Sequence, residues 1–275
     1  MTARLPLLAL LAVTLTAPAQ EYTAQQLLAG VKAARPSGGI YARLRLSHTP
    51  AATDKAETLQ VQVKRRITPD GKSEHLYQLL FPTHRKGEGI LLRFDNGRFT
   101  GATHTPSTGT RALSPTDRSL GLFATALSID DIIAEFLDWP SQTLNGTENV
   151  GNIPCHIIES KAPASSRSTA RLVRSWIDAK RFVTQKMEIY GSDTTKPLKT
   201  VLTEKVLRNK TGYYLPVSFS ISDTTTGAKT SVEGVRSDSN ITFPDSAFTP
   251  EALQTLTTTP RSEERRVGKE CRSRW

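Results

Sequence analysis

Much of the chain alternates with a period of two. Ile40, Ala42, Leu44 and Leu46 fall on one parity and Tyr41, Arg43, Arg45 and Ser47 on the other, while Leu59, Val61 and Val63 alternate with Gln60, Gln62 and Lys64. Successive strand side chains point to opposite faces, so this pattern predicts half-buried antiparallel strands. The same texture recurs in HLYQLLF, GILLRF, RFTGA, CHIIES, LVRSWID, VTQKMEIYG, KTVLTEKVL, YYLPVSFSIS and KTSVEGV, giving about eleven strands in all. Turn signals separate them at hairpin distances: Pro69 to Gly71, Asp95 to Gly97, Asn209 to Gly212 and Thr224 to Gly227.

Two stretches depart from this period. In YTAQQLLAGVKAARP, Thr23 can cap a short helix carrying Leu27, Leu28 and Val31, stopped before Pro36. In LSIDDIIAEFLDWP (Leu127 to Pro140), Ser128 and Asp131 form a capping box. Ile129, Ile132, Ile133, Phe136 and Leu137 recur at helical spacing opposite Asp130, Asp131, Glu135 and Asp138, which predicts one amphipathic helix ended by Pro140. The whole region Thr116 to Trp139 reads as helical or partly helical. No βαβ alternation, internal repeat or long linker appears. The expected fold is mainly β (α+β): a single strongly curved antiparallel sheet forming an incomplete barrel, with helices closing one side.

The ends read differently from the middle. Residues 1–19 combine Arg4, an apolar run and the A-x-A site Ala17-Pro18-Ala19, the pattern of a secretory signal peptide cleaved near Ala19/Gln20. The run is too short to span a bilayer, and no later stretch approaches the roughly 20 apolar residues a span needs. Residues 261–275 (RSEERRVGKECRSRW) have no periodicity and resemble translated sequencing-adapter read-through, which makes them an artefact tail. The expected domain is therefore 20–260. It holds 29 Lys and Arg against 23 Asp and Glu, about +6 rather than the +10 of the whole chain. In an exported protein that surplus suits anionic head groups or acidic envelope polymers rather than nucleic acid. Setting the tail aside leaves Cys155 without a partner cysteine, so packing rather than a disulfide must hold the fold.

Several stretches, taken in order, resemble the outer-membrane lipoprotein-sorting family, the LolA-like periplasmic carriers. They are LLFPTHRKGEGILLRF, then LGLFATALSIDDI leading into an S-x-x-D helix start, then VRSWIDAKRFVTQKMEIYG with Trp176 and Asp178 in the family's W-x-D place. TGYYLPVSFSISDTTTGAKTSVEGVRSDSNITFPDSAFTPEAL matches the closing strands and the F-T-x-x-x-L ending. The resemblance covers most of Tyr22 to Leu253. It implies an open β-barrel whose apolar concave side is closed by helices and shelters acyl chains. It further implies a periplasmic location, an acylated lipoprotein or phospholipid as ligand, an inner-membrane ejection complex and an outer-membrane acceptor as partners, and no cofactor.

On that reading the cavity and its lid are lined by Leu59, Val61, Val63, Phe94, Phe123, Ile129, Ile132, Ile133, Phe136, Trp139, Trp176 and Met187. A filled core would use the same residues, and periodicity does not separate the two. Arg65 shares parity with Leu59, Val61 and Val63 and stands at the end of their row, which makes it the polar contact at the rim; the doubled Arg65-Arg66 leaves open which one faces inward. His84-Arg85-Lys86, between Pro82 and Gly87, suits either phosphate head groups or a solvated turn.

Catalytic signals are poor. No G-x-S-x-G, H-E-x-x-H, P-loop or dinucleotide fingerprint is present. Cys155 and His156 are strand neighbours and point apart, and His48, His75, His84 and His104 lack metal-ligand spacing. The expected function is a carrier or chaperone for acyl chains. The alternatives are a lipid- or lipoprotein-sensing regulatory module and an envelope scaffold with a filled core.

Overall fold

The computed structural model describes residues 22–34, 38–53, 55–95, 98–209 and 212–256. The expected signal peptide, residues 1–19, and the expected artefact tail, residues 261–275, lie outside the described residues. Strands β1 (Gly39–Thr49), β2 (Glu57–Ile67), β3 (Ser73–Phe81), β4 (Gly89–Asp95), β5 (Arg98–Thr105) and β6 (Gly109–Ala112) form one meander. A second comprises β7 (Ser141–Val150), β8 (Ile153–Lys161), β9 (Leu172–Asp178), β10 (Val183–Tyr190), β11 (Lys199–Arg208), β12 (Tyr214–Asp223) and β13 (Lys229–Ile241). They join where β13 pairs antiparallel with β1, giving one 13-stranded sheet among the described residues in the order 6-5-4-3-2-1-13-12-11-10-9-8-7. Strands β6 and β7 remain as edges, so the barrel does not close.

Register sorts the sheet into two faces. Leu46 lies opposite both Leu59 and Val232, Val61 opposite Leu79, Tyr77 opposite Ile90, and Ile221 opposite Val201, so one apolar face runs across the junction of the two meanders. On this inner face sit α1 (Ala24–Ala33), against β8 and β9, and the segment between β6 and β7, against β1 to β4 and β11 to β13. The outer face is covered over β3 to β5 by the C-terminal stretch, whose Phe248 and Leu253 are fully buried against Leu76, Leu91 and Ala102.

The first predicted helix forms with a complete Thr23/Gln26 capping box. The second starts at Ser128 as its capping box predicts, but α2 (Ile129–Ile133) has only five residues. Ala134 turns left-handed (φ 51°, ψ 41°) and a 3-10 turn, Glu135–Asp138, follows. A straight helix would present one stripe to one surface. The break instead sends Ile129, Ile132 and Ile133 to the β1–β4 side of the inner face and Phe136 and Leu137 to the α1 side. Placing a non-glycine residue in that conformation costs about 1 kcal/mol, offset by burial on both sides.

Thirteen strands stand where alternation predicts about eleven. The two missed, β6 (GTRA) and β7 (SQTLNGTENV), are the sheet edges. Both are almost wholly exposed and carry no apolar row for the eye to follow.

A buried polar chain ties the C-terminal stretch to the outer face. Tyr41 Oη donates to Gln62 Oε1 (3.3 Å), Gln62 Nε2 donates to Gln78 Oε1 (2.9 Å), and Gln78 Nε2 reaches the carbonyls of Ala252, Leu253 and Thr255 at 3.1 Å each. Gln78→Leu strips those carbonyls of their donor and should cost about 1–3 kcal/mol. Amide exchange at residues 252–255 should rise well before the rest of the sheet opens; unchanged protection there would mean Phe248 and Leu253 hold the segment alone.

Candidate functional site

The inner face becomes a site because its cover is a folded-back loop. Leu122 N–H donates to Leu127 O (2.6 Å) and Ile129 N–H to Leu120 O (3.0 Å), closing a tight plug around residues 120–129. A side chain at Gly121 would strike the Thr125 carbonyl, so the turn requires glycine there. Phe123 and Ala124 both have positive φ (53° and 62°), a strained pair for residues with a Cβ, and Arg85 Nη2 holds the elbow through the Phe123 carbonyl at 3.1 Å. Leu122, Phe123, Ala126, Leu127 and Ile129 fill the space above Leu46, Leu59, Val61, Leu79 and Leu92. Beside the plug, toward β4 to β6, a cavity of about 220 Å³ is lined by Ile90, Leu113, Phe123, Ile129 and His104 among others.

A charged latch holds the far side of the plug. Arg118 donates to Asp130 Oδ1 and Glu135 Oε2, each at 2.6 Å, bridging the break between α2 and the 3-10 turn. Asp130 Oδ2 also accepts from Ser168 Oγ (3.0 Å) and Thr169 N–H (2.9 Å) on the β8–β9 loop. Lys199 Nζ donates to Asp131 Oδ2 (2.7 Å) and to the Ala126 carbonyl (3.0 Å). Burial alone would lower the Arg118 pKa, but its hydrogen bonds and charge contacts with Glu135 and Asp130 raise it above the ordinary value. A cavity of about 40 Å³, bordered by Ser128, Asp131, Trp139, Ser168 and Lys199, lies within this latch.

At the opposite end of the inner face the cover thins. Phe94 and Phe99 stack at 5.5 Å, Phe94 meets His75 edge-on at 6.4 Å, and these phenylalanines are only half-buried. Arg65 lies there, opposite Ile40 on one side and His75 on the other, at the end of the Leu59–Val61–Val63 row. Its Nε is buried and unpartnered, and burial lowers its pKa below the ordinary arginine value, the Tyr77 hydroxyl acting in the opposite sense. Arg66 points to the outer face, paired with Glu74 and Asp245 and stacked over Phe248.

The sequence-predicted residues separate into three groups. Leu59, Val61, Val63, Phe94, Phe123, Ile129, Ile132 and Ile133 come together around the plug. Phe136, Trp139 and Met187 also face inward but pack with Val173 and Ile189 in a neighbouring cluster, the first two carried there past the break at Ala134 and Met187 by the register of β10. Trp176 does not line the inner face. It lies buried on the outer face opposite Lys186, whose Nζ stands 4.2 Å from the ring, and its Nε1 donates to Glu148 Oε2 (2.8 Å).

Of the basic loop, Arg85 is engaged by Glu88, Glu57 and the Phe123 carbonyl, so it braces the plug. Cys155 and His156 face opposite sides, with Cys155 opposite Glu148 and His156 stacked edge-on with Tyr22 at 5.8 Å. Sequence reasoning missed Arg118, Lys199, Ser168 and Thr169. Their partners lie 12 to 73 positions away, and only the acidic residues of the capping helix hinted that cations would be needed.

Lys199→Met should leave Asp131 charged and buried, cost about 3 kcal/mol and speed amide exchange in α2. Adding Asp131→Asn keeps the cap to Ser128 N–H and removes the stranded charge, so most of the loss should return; an additive double variant would show that the pair does not couple.

Burial raises the Cys155 thiol from 9.0 to about 11. A raised pKa means less thiolate, so alkylation at pH 8 should run about a hundredfold slower than in the urea-unfolded chain and recover only as pH climbs toward 11. Equal rates would mean the strand opens freely.

Comparison with known proteins agrees with this architecture. The chain superposes on a DUF1329 family protein from Desulfovibrio piger with a TM-score of 0.77 at 17% identity, covering 84% of this chain and 98% of that one. A domain from Vibrio parahaemolyticus assigned to outer membrane lipoprotein sorting gives 0.76 at 14% identity, covering 84% and 98%. A LolA superfamily protein from Nitrosomonas europaea gives 0.66 at 19% identity, covering 84% and 100%. No curated protein matches the sequence. A family model described as "Uncharacterized protein" matches residues 71–255. The chain belongs to that family, and its single open sheet with a plugged inner face is the LolA-like fold that the lipoprotein-sorting resemblance implies.

Proposed function

We propose that this protein is a periplasmic carrier that shelters the acyl chains of a lipoprotein or phospholipid against its inner face and releases them toward the outer membrane. The carrying observation is the nature of the cover: an apolar face shared by both meanders is closed by a strained, broken loop fixed largely through ion pairs. The cavity of about 220 Å³ falls below the roughly 300–1,000 Å³ of ordinary ligand pockets, so a long chain enters only if the plug moves. Each methylene then buried contributes about 0.8 kcal/mol, enough in series to replace the plug's own contacts. Arg65 meets the head group at the thin end, where its unpartnered Nε gains an acceptor.

Release needs no covalent chemistry. It follows from differential affinity among an inner-membrane ejection complex as donor, the carrier and an outer-membrane acceptor. The assignment of the Vibrio domain to lipoprotein sorting supports this reading, as does the signal-peptide pattern of residues 1–19. No helix among the described residues is long and apolar enough to cross a membrane.

Native mass spectrometry of the chain exported to a bacterial periplasm and purified without detergent tests the proposal. The expected result is added mass matching a phospholipid or acylated peptide, reduced about tenfold by Ile133→Asp, which places a charge on the partly buried apolar side of the plug. A bare polypeptide mass even after incubation with phospholipid and triacylated peptide would overturn it in favour of a filled-core scaffold.

A further inference from the structure

The end of the sheet where the inner face is least covered also carries the tip of the β11–β12 hairpin. Pairing within this hairpin runs out to Arg208↔Tyr214, whereas β12 leaves β13 at Ser218↔Glu233, so the end of β11 and the start of β12 extend past the ladder with β13. Leu207 is 51% exposed, Tyr213 47% and Val235, on the strand left behind, 56%. Two guanidinium groups flank the ring of Tyr214: Arg181 at 5.7 Å and Arg208 at 5.8 Å from its centroid. Arg208 Nε donates to the Gly212 carbonyl (3.1 Å). The acidic side chains Glu204 and Asp238 near this end are engaged by Ser218 and Arg236, and Asp178 lies 3.6 Å from Arg181.

Leu207, near the end of β11, and Tyr213, just before β12, gain nothing from contact with water. Together with aromatic-stacked arginines they have the composition of a membrane interface, where rings sit at head-group level and cationic heads meet lipid phosphates. We infer that this hairpin end docks on an anionic lipid bilayer, Leu207 and Tyr213 entering the interface and Arg208 and Arg181 meeting phosphates. Docking deepens the carrier reading, on which its purpose rests, by setting the thin end of the inner face against the membrane. Lipid chains could then pass with little exposure to water.

Vesicle flotation of the full chain tests the docking. It should float with phosphatidylcholine vesicles containing phosphatidylglycerol, less well at high salt, and weakly with phosphatidylcholine alone. Leu207→Asp with Tyr213→Asp should weaken flotation at least about tenfold and Arg208→Gln severalfold. Leu202→Asp, at a mid-strand position that is also exposed (41%), should float as the parent does. Thermal midpoints matching the parent confirm that the variants fold. Absence of flotation at low salt, or equal loss in the tip and Leu202 variants, would overturn the docking.

Lipid adducts in the mass spectrum keep the two ideas separable. Adducts without flotation of the parent chain would sink docking alone, while tip-dependent flotation without adducts would sustain docking and sink the carrier.

Discussion

The pairing of β1 with β13 joins Gly39↔Ile241 through Thr49↔Lys229, although Thr49 and Lys229 stand 180 positions apart. The other pairings in the sheet link consecutive strands. Bringing such distant segments together costs on the order of 5 kcal/mol in loop-closure entropy, which the ladder and its apolar row must exceed before either meander has a partner. The inner face exists only after that step. Leu46 then has Leu59 on one side and Val232 on the other, and both halves present one apolar surface to the plug.

A sheet this wide cannot leave its inner face open, and the chain covers it in two ways. Over β8 and β9 the cover is α1, a capped helix with Leu27 and Leu28 nearly or fully buried. Over β1 to β4 it is a loop with three left-handed non-glycine residues, Phe123, Ala124 and Ala134, steadied by Arg85 and Arg118. The first is a cover built from favourable local geometry. The second stores local strain against burial and polar contacts, and the partly exposed Ile132 and Ile133 mark where it already gives way.

Much of this was legible in the sequence because alternation and capping are local. The strands with an apolar row, the Thr23 and Ser128 caps, and the inward parity of Leu59, Val61, Val63 and Arg65 all follow from spacing. Edge strands β6 and β7 were not legible, since an exposed edge has no buried face to mark it. The break at Ala134 was hidden for a different reason: a helical period extends unbroken through Phe136 and Leu137, yet the two halves answer to different tertiary surfaces. Trp176 was misplaced because its strand is buried on both faces, at Trp176 and at Ile177, so burial does not reveal parity. The partners in the latch could not be read, because nothing local links Lys199 to Asp131.

Charged groups are an unusual means of fixing a plug, and their thermodynamics suits one that must move. Removing a single partner from Arg118–Asp130 or Lys199–Asp131 strands a poorly hydrated charge and is costly. Lifting the whole plug differs, because both members of each pair return to water together and recover the hydration lost on burial. Apolar packing gives no such return, since Leu122 and Ile129 lose their burial wherever they go, unless an acyl chain takes their place on Leu59 and Val61. The pairs thus fix where the plug sits while adding little to the work of displacing it. That work is left to the apolar contacts, the part an incoming lipid can replace.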